Sequence, residues 1–347
     1  MGEAAGQGRY YRALDGLRGL SVLAVVWHHA RPLGFTSELS TRGYLGVDVF
    51  FVISGFLITT LLVREEARSG SVSLGRFWVR RALRLWPLWY AILTALALVF
   101  WLVIPNAAMA APFWRDLPWN ATYTSNLIVP GTFLALSWSL AVEEQFYIVW
   151  PLVWTKVRSA ATPLLVFLGG LSVAVHLGLL DAVLVDAFGP IGAQALALKA
   201  TVLPLILGCA AALGIEQLRW LTRGALAPLL AAVLVAVAAL PAPVTEGQMR
   251  LVAQVFAAGL VVTCVGVNEP RWLMWKPLCR IGERAYGVYL LHLFALQLVM
   301  SLGPWQGGSR GWGGFFFAAV LGVAFAAVSY RWLESPFLRL KKRFSAV

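Results

Sequence analysis

Long apolar stretches recur from one end of this chain to the other, and they restrict the folds open to it more than any other feature. Apolar residues make up 60% of the 347 residues and charged residues only 13%, which excludes an ordinary soluble domain. A helix needs about 20 consecutive apolar residues to cross a bilayer. The sequence therefore predicts an all-α, polytopic membrane protein with a single membrane-embedded domain over residues 1–347.

Ten candidate transmembrane spans can be placed along the chain. They cover residues 11–31, 44–63, 85–104, 134–154, 162–180, 201–217, 225–241, 250–268, 285–302 and 313–333. If the N-terminus is cytoplasmic, most of the 28 lysine and arginine residues fall in cytoplasmic connections. Because such connections carry an excess of basic residues, we expect both termini in the cytoplasm and a multi-pass location in the plasma membrane. This topology also accounts for the net charge of +12 without nucleic-acid binding.

The first predicted span carries polar residues that a membrane helix normally avoids. Arg18 and His29 are eleven residues apart, which returns the helix to nearly the same face after a rise of about 16 Å. A charge within the membrane costs roughly 2.5–3.5 kcal/mol, so such a residue normally faces a cavity or a partner. His28 is turned about 100° away from that face. The pattern indicates a cation and a titratable imidazole along one stripe, at two depths.

Two carboxylates fall where they could meet this stripe. Asp48 begins the second span at the same predicted depth as His29, where it could fix the histidine tautomer or simply cap its own helix. Glu143 lies well inside the fourth span, where it could serve catalysis or pair with a buried arginine such as Arg18. Both carboxylates are therefore candidate site residues with a structural alternative.

A cluster of arginines precedes the third span. Arg80, Arg81 and Arg84 lie in the run RFWVRRALRLWP, and anchoring at the cytoplasmic face explains such clusters in many membrane proteins. Arg81 and Arg84 also share one helix face, and guanidinium groups suit phosphate recognition. The cluster therefore predicts either a topology signal or a phosphate site on the cytoplasmic side.

The remaining intramembrane histidines have a simpler interpretation. His176 in the fifth span and His292 in the ninth are single residues, for which a hydrogen bond inside the helix bundle is expected. No two of the four histidines have zinc-ligand spacing with a third ligand, so no metal is expected. The three cysteines are isolated and indicate packing rather than disulfides.

Five segments of the chain occur together in an order known from one membrane-enzyme family. They are Leu17-Arg18 with His29, Gly46 to Phe56, Arg81 to Pro87, Trp138 to Tyr147, and Tyr286 to His292. Over nearly the whole chain they resemble acyltransferase family 3, a family of integral membrane O-acyltransferases. The resemblance implies a ten-helix core that transfers acyl groups from cytoplasmic acyl-CoA to hydroxyl groups, often of sugars.

The resemblance also implies which residues are essential. The family's arginine and histidine of the first helix correspond to Arg18 and His29, and its Arg-x-x-Arg motif corresponds to Arg81 and Arg84. Members that act on some surface glycans carry a C-terminal SGNH hydrolase-like domain, whereas members that acylate macrolide-type natural products are short. We therefore expect the stand-alone type. The acceptor stays open among a sugar, a surface glycan and a macrolide-type natural product.

The predicted donor site lies toward the cytoplasm. Arg81 and Arg84, together with Arg80, are expected to hold the phosphates of acyl-CoA. The uncharged pantetheine arm would then enter the bundle past Arg18. That arginine is expected either to contact acyl-CoA or to pair with Glu143.

The predicted transfer site lies toward the outer side of the bilayer. We expect His29 to act as general base on the acceptor hydroxyl, so that an acetyl or longer acyl group is transferred. Asp48 or Glu143 would orient the imidazole. An acyl-histidine intermediate is the alternative to direct transfer.

A secondary transporter or flippase for a polar or anionic solute is the competing prediction, because Arg18, Glu143 and His29 could also line a transport path. The sequence shows no inverted pair of glycine- or proline-broken spans. The arginine cluster on the cytoplasmic side also favours the enzyme. Stabilisation of the protein by CoA would distinguish the two functions.

Overall fold

Helices connected by turns make up the structure, a computed structural model that describes residues 10–344 except 129, 130, 132, 188, 190–201, 219, 223, 242–245, 267 and 306. No β-strand occurs in this part of the chain. The prediction of an all-α protein is therefore confirmed at the level of fold class.

The α-helices are numbered in chain order. They are α1 (Arg12–His29), α2 (Glu38–Thr41), α3 (Leu45–Ser69), α4 (Leu74–Leu98), α5 (Ala110–Ala121), α6 (Ser137–Lys156), α7 (Arg158–His176), α8 (Leu203–Leu213), α9 (Ala227–Ala238), α10 (Glu246–Cys264), α11 (Lys276–Glu283), α12 (Ala285–Ser301), α13 (Gly308–Ser329) and α14 (Ser335–Lys341). Two π-helical segments, Val99–Val103 and Tyr330–Glu334, extend α4 and join α13 to α14.

Each of the ten predicted spans contains a helix, although the bounds differ. Among the described residues, five helical stretches are long and apolar enough to cross a membrane: Leu45–Ser69, Leu74–Val103, Arg158–His176, Glu246–Cys264 and Gly308–Lys341. Three further apolar helices, α8, α9 and α12, are shorter. The count of ten spans and the cytoplasmic termini stay predictions. Residue 201, at which the sixth predicted span begins, lies outside the described residues.

The third span departs most from its predicted bounds, because α4 begins at Leu74 rather than at residue 85. The helix extends backward through the arginine cluster. Hydropathy alone ends a span at such charges. The helix continues there because the guanidinium groups are received by a carboxylate of α3 and by a cavity inside the bundle.

Close contact between helices sets the depth of the residues that matter for function. A Cβ atom added at Gly55 of α3 would lie 2.1 Å from the carbonyl oxygen of Leu205 in α8. One added at Gly282 of α11 would lie 1.7 Å from the carbonyl oxygen of Asp15 in α1. Any larger side chain would push these helices apart, so small residues hold α1 and α3 in place within the bundle.

Candidate active site

A cavity of about 100 Å³ lies among α1, α3, α4, α6, α11 and α12, and we call it the arginine cavity. The polar side chains that line it are Arg18, Ser54, Arg81, Arg84, Ser139, Glu143, Tyr147, Tyr286 and Tyr289. Apolar residues of α3 supply much of the remaining wall.

Arg81 and Arg84 enter the arginine cavity from α4. The guanidinium carbon of Arg81 lies 5.1 Å from the ring centre of Tyr147 and 5.7 Å from that of Phe77, which is cation–π distance. Within the described part of the chain, neither Arg81 nor Arg84 forms an ion pair or donates a hydrogen bond to a protein acceptor. Two guanidinium groups held in a cavity without a paired carboxylate are suited to an anionic ligand.

Arg80 has a different environment although it belongs to the same sequence cluster. Its Nη2 lies 3.1 Å from Oε2 of Glu65, and its Nη1 donates a hydrogen bond of 2.9 Å to the carbonyl of Phe344. It does not belong to the lining of the arginine cavity. The structure thus separates Arg80 from its two neighbours, and its guanidinium links α3 and α4 to the C-terminal turn instead.

Arg18 lines the arginine cavity from α1, and its partner is a residue that the sequence analysis did not single out. Its Nη1 lies 3.2 Å from Oδ1 of Asp15, and the hydroxyl of Tyr10 donates to Oδ2 of the same carboxylate. The expected alternative, an ion pair between Arg18 and Glu143, is not formed. The i,i+3 spacing of Asp15 and Arg18 is the signal that would have predicted this pair.

Glu143 reaches the same cavity from α6. The hydroxyl of Ser54 donates to Oε1 of Glu143 at 2.6 Å, and the hydroxyl of Tyr147 donates to Oγ of Ser54 at 3.1 Å. The guanidinium group of Arg81 lies over the ring of Tyr147. The carboxylate of Glu143 is therefore connected to Arg81 through Ser54 and Tyr147. Ser54 was not predicted as a site residue, and its place within the segment Gly46 to Phe56, which carries part of the family resemblance, is the signal that points to it.

His29 lies outside this lining and belongs to a separate group, which we call the histidine pair, with His292 of α12. Nδ1 of His29 lies 3.0 Å from the carbonyl oxygen of Val25 and 3.2 Å from Nε2 of His292. Nδ1 of His292 lies 2.6 Å from the carbonyl oxygen of Tyr289. His292 is fully buried, whereas His29 is half-buried. The predicted bundle hydrogen bond of His292 is therefore present, and one of its partners is His29.

His28 turns to another neighbour, as its helical position predicts. Its ring centre lies 5.6 Å from that of Tyr44 in an edge-on arrangement. It also lies 4.9 Å from the ring centre of His29. Nδ1 of His28 is buried and has no hydrogen-bond partner. His28 therefore contacts His29 without hydrogen bonding to it.

Asp48 does not contact His29, and the prediction that it orients the imidazole is corrected by the structure. Arg250 of α10 donates to both carboxylate oxygens of Asp48, at 2.7 and 2.8 Å, and Gln254 donates to Oδ2 at 3.2 Å. Tyr44, rather than Asp48, contacts His28, and Asp48 lies one helical turn, about 6 Å, farther along the axis. The carboxylate of Asp48 thus joins α3 to α10.

Tyr289 stands between the arginine cavity and the histidine pair. Its hydroxyl lies 2.7 Å from Oγ of Ser139 and donates to the carbonyl of Leu136 at 3.0 Å. Its ring centre is 6.0 Å from that of His292. One aromatic side chain therefore separates the wall of the cavity from the two imidazoles. No group of His, Cys, Asp and Glu suited to a metal ion occurs among the described residues.

Comparison with known proteins adds three findings. The family described as "Acyltransferase domain" matches residues 11–331. The chain is 35% identical over 192 residues to Peptidoglycan O-acetyltransferase OatA of Listeria monocytogenes, which covers 50% of this chain and 28% of that protein. It is 28% identical over 367 residues to a Bacillus subtilis protein named "Putative peptidoglycan O-acetyltransferase YrhL", with 94% of this chain and 55% of that protein covered. The chain thus spans about half the length of these relatives or less. No solved structure matches it.

Proposed function

The chain belongs to the acyltransferase 3 family, and from that premise we propose that it is a membrane O-acyltransferase that uses cytoplasmic acyl-CoA. An acetyl group is the first candidate for transfer, and the acceptor is a hydroxyl group of a glycan. The names of the relatives, which refer to O-acetylation of peptidoglycan, support an acetyl group and a glycan over a macrolide-type acceptor.

The observation that carries this proposal is a pair of arginines in the cavity that form no ion pair with a carboxylate of the described residues. Arg81 and Arg84 present their guanidinium groups to the arginine cavity, and the phosphates of CoA supply the anionic partner that such groups bind. The apolar wall from α3 suits the uncharged pantetheine arm. Arg18 adds a third cation, whose charge Asp15 partly balances.

Glu143 belongs to the donor side in this proposal. Its carboxylate holds Ser54 and, through that hydroxyl, Tyr147. Because Tyr147 lies against Arg81, this chain of contacts sets the position of a phosphate-binding guanidinium. The role of orienting the imidazole, first considered for Glu143, has no support in its contacts.

His29 acts as the general base in the proposed reaction. Its Nε2 takes the proton of the acceptor hydroxyl while the hydroxyl oxygen attacks the carbonyl carbon of the thioester. The carbon–sulfur bond breaks, and the proton passes from the imidazolium to the departing thiolate, which leaves an O-acyl ester and free CoA. The proposed path of the thioester to His29 runs past Tyr289, which lines the arginine cavity and whose ring centre lies 6.0 Å from that of His292.

The test of this function uses the purified protein in lipid vesicles with CoA that carries a labelled acetyl group. Peptidoglycan fragments, other glycans and a macrolide serve as acceptors. We expect an alkali-labile labelled ester on a glycan, and failure to label any acceptor would contradict the proposal. Label on the protein in the absence of acceptor would instead indicate the acyl-histidine route. CoA should also raise the melting temperature of the protein, and pantetheine without phosphates should not.

A further inference from the structure

The hydrogen bonds of His292 determine which of its ring nitrogens carries the proton. Nδ1 lies 2.6 Å from the carbonyl oxygen of Tyr289, and since a carbonyl can only accept, Nδ1 is the donor. A neutral imidazole has a single N–H, so Nε2 of His292 is an acceptor. Double protonation is disfavoured because His292 is fully buried and its nitrogens face neutral groups, a backbone carbonyl and another imidazole, with no carboxylate among these contacts.

This assignment in turn fixes the tautomer of His29. Its Nδ1 faces two acceptors, the carbonyl of Val25 at 3.0 Å and Nε2 of His292 at 3.2 Å. Nδ1 of His29 therefore carries the proton and shares it between them, and Nε2 keeps its lone pair. No group in the part of the chain that the structure describes forms a hydrogen bond with this Nε2. The lone pair is the one that a general base needs.

We propose that His292 is a positioning residue for acyl transfer, which together with the carbonyl of Val25 holds His29 in the tautomer with a free Nε2. This inference rests on the proposed role of His29 as base. His292 fills the place in which Asp48 or Glu143 was expected, and both of these carboxylates are engaged elsewhere. As His29 takes up a proton from the acceptor, Nε2 of His292 and the carbonyl of Val25 accept from the imidazolium and stabilise it.

A neutral partner suits this position physically. A carboxylate beside His29 would carry its charge through the whole catalytic cycle and would have to be desolvated within the bundle. An imidazole that already donates to a carbonyl offers a lone pair without that cost. The orienting group can therefore be fully buried, as His292 is, while His29 stays half-buried and open to a substrate.

The chain offers a matched control in His176 of α7. This histidine is also buried, and its Nδ1 lies 2.7 Å from the carbonyl oxygen of Ser172. Its Nε2 faces Gln254 at 3.5 Å, and it does not contact His29. Replacement of His176 therefore removes a buried histidine with a similar backbone contact from a place outside the proposed site.

The test compares His292→Leu, His292→Gln and His176→Leu in the vesicle assay with acetyl-CoA. His292→Leu removes one of the two acceptors of the Nδ1 proton of His29 and leaves only the carbonyl of Val25. We expect kcat to fall roughly 10- to 100-fold, as for other residues that orient a functional histidine. The KM for acetyl-CoA should not change. His292→Gln supplies an amide oxygen as acceptor and should recover most of kcat, whereas His176→Leu should leave kcat near that of the unchanged protein.

The outcomes separate this inference from the function on which it rests. The positioning role is overturned if kcat of His292→Leu is unchanged, or if kcat of His176→Leu falls equally. In either case, an inactive His29→Ala variant would still support His29 as the base. Full activity of His29→Ala overturns both. A direct reading uses ¹⁵N NMR of the unchanged protein, which has four histidines. We expect His29 with Nδ1 protonated and Nε2 bare, and the opposite tautomer would overturn the inference even if the variants fail to fold.

Discussion

The arginine cavity and the histidine pair both include a residue of α1, yet the cavity contains ionic side chains and the histidine pair does not. Arg18, Arg81, Arg84 and Glu143 bring ionic groups into the cavity. The histidine pair is held by neutral hydrogen bonds, to the carbonyls of Val25 and Tyr289 and between the two rings. Arg18 and His29 belong to the same helix, about 16 Å apart along its axis, so the contrast arises within one structural element.

The difference has a physical reason that follows from what each region would bind. In the proposed function the arginine cavity receives the phosphates of the donor, which bring a charge opposite to that of the guanidinium groups. A base deeper in the bundle receives a neutral hydroxyl, so a permanent charge beside it would stay uncompensated between turnovers. A neutral imidazole pair becomes charged only while the proton is in transit.

Replacement of the base should have the largest effect on turnover. In His29→Ala we expect kcat to fall about 10²- to 10⁴-fold, the usual contribution of a general base. Binding of CoA, measured by calorimetry, should remain as in the unchanged protein because His29 does not line the arginine cavity. Loss of CoA binding in this variant would show that the two regions are not separate, and near-normal turnover would remove His29 from the mechanism.

Replacement of Asp48 tests whether this residue, which was expected to orient His29, has a role in catalysis or in stability. Asp48→Asn removes the carboxylate that accepts two hydrogen bonds from the buried guanidinium of Arg250, and we expect the free energy of unfolding to fall by about 3–5 kcal/mol. The double variant Asp48→Leu with Arg250→Leu should recover much of that loss, because it removes both buried charges. Denaturation in detergent measures both. A stably folded Asp48→Asn protein with a selective loss of kcat would return Asp48 to catalysis.

Replacement of Arg84 tests whether the arginine cavity binds the phosphates of CoA. Arg84→Gln removes a charged hydrogen bond worth about 1.5–3 kcal/mol, so we expect the Kd for CoA to rise roughly 10- to 100-fold with kcat at saturation little changed. Arg80→Gln is the matched control from the same helix, because Arg80 binds Glu65 and the carbonyl of Phe344. If both variants weaken CoA binding equally, the cluster acts through general charge and not through the arginine cavity.

Ser54 should give the smallest effect. Ser54→Ala removes the hydrogen bond to Glu143 and the acceptor for the hydroxyl of Tyr147, each worth about 0.5–1.5 kcal/mol. We expect a severalfold rise in the KM for acetyl-CoA, measured by initial rates at fixed acceptor. The KM for the acceptor should not move. A change confined to the acceptor would place Ser54 on the side of the histidine pair.

Much of this arrangement could be predicted from local sequence patterns. The apolar runs predicted a helix in each span because hydropathy reports directly on burial in lipid or protein. The helical period predicted that Arg81 and Arg84 share one face, as do Glu143 and Tyr147, and all four line the arginine cavity. The bounds of α4 were missed because charged residues end a hydropathy pattern even where a cavity receives them.

The fold class follows from composition and helical period along single helices, and the family follows from five short segments in a fixed order. The same local patterns named Arg81, Arg84 and Glu143, which line the arginine cavity. The partners of the charged and titratable side chains depend on how the helices pack against one another. Asp48 meets Arg250 across 202 positions and His29 meets His292 across 263, and no helical period states which distant helix a side chain will face. Close packing at small residues fixes how α1 and α3 contact their neighbouring helices. As a result, His29 contacts His292 and not either of the two carboxylates that were expected beside it.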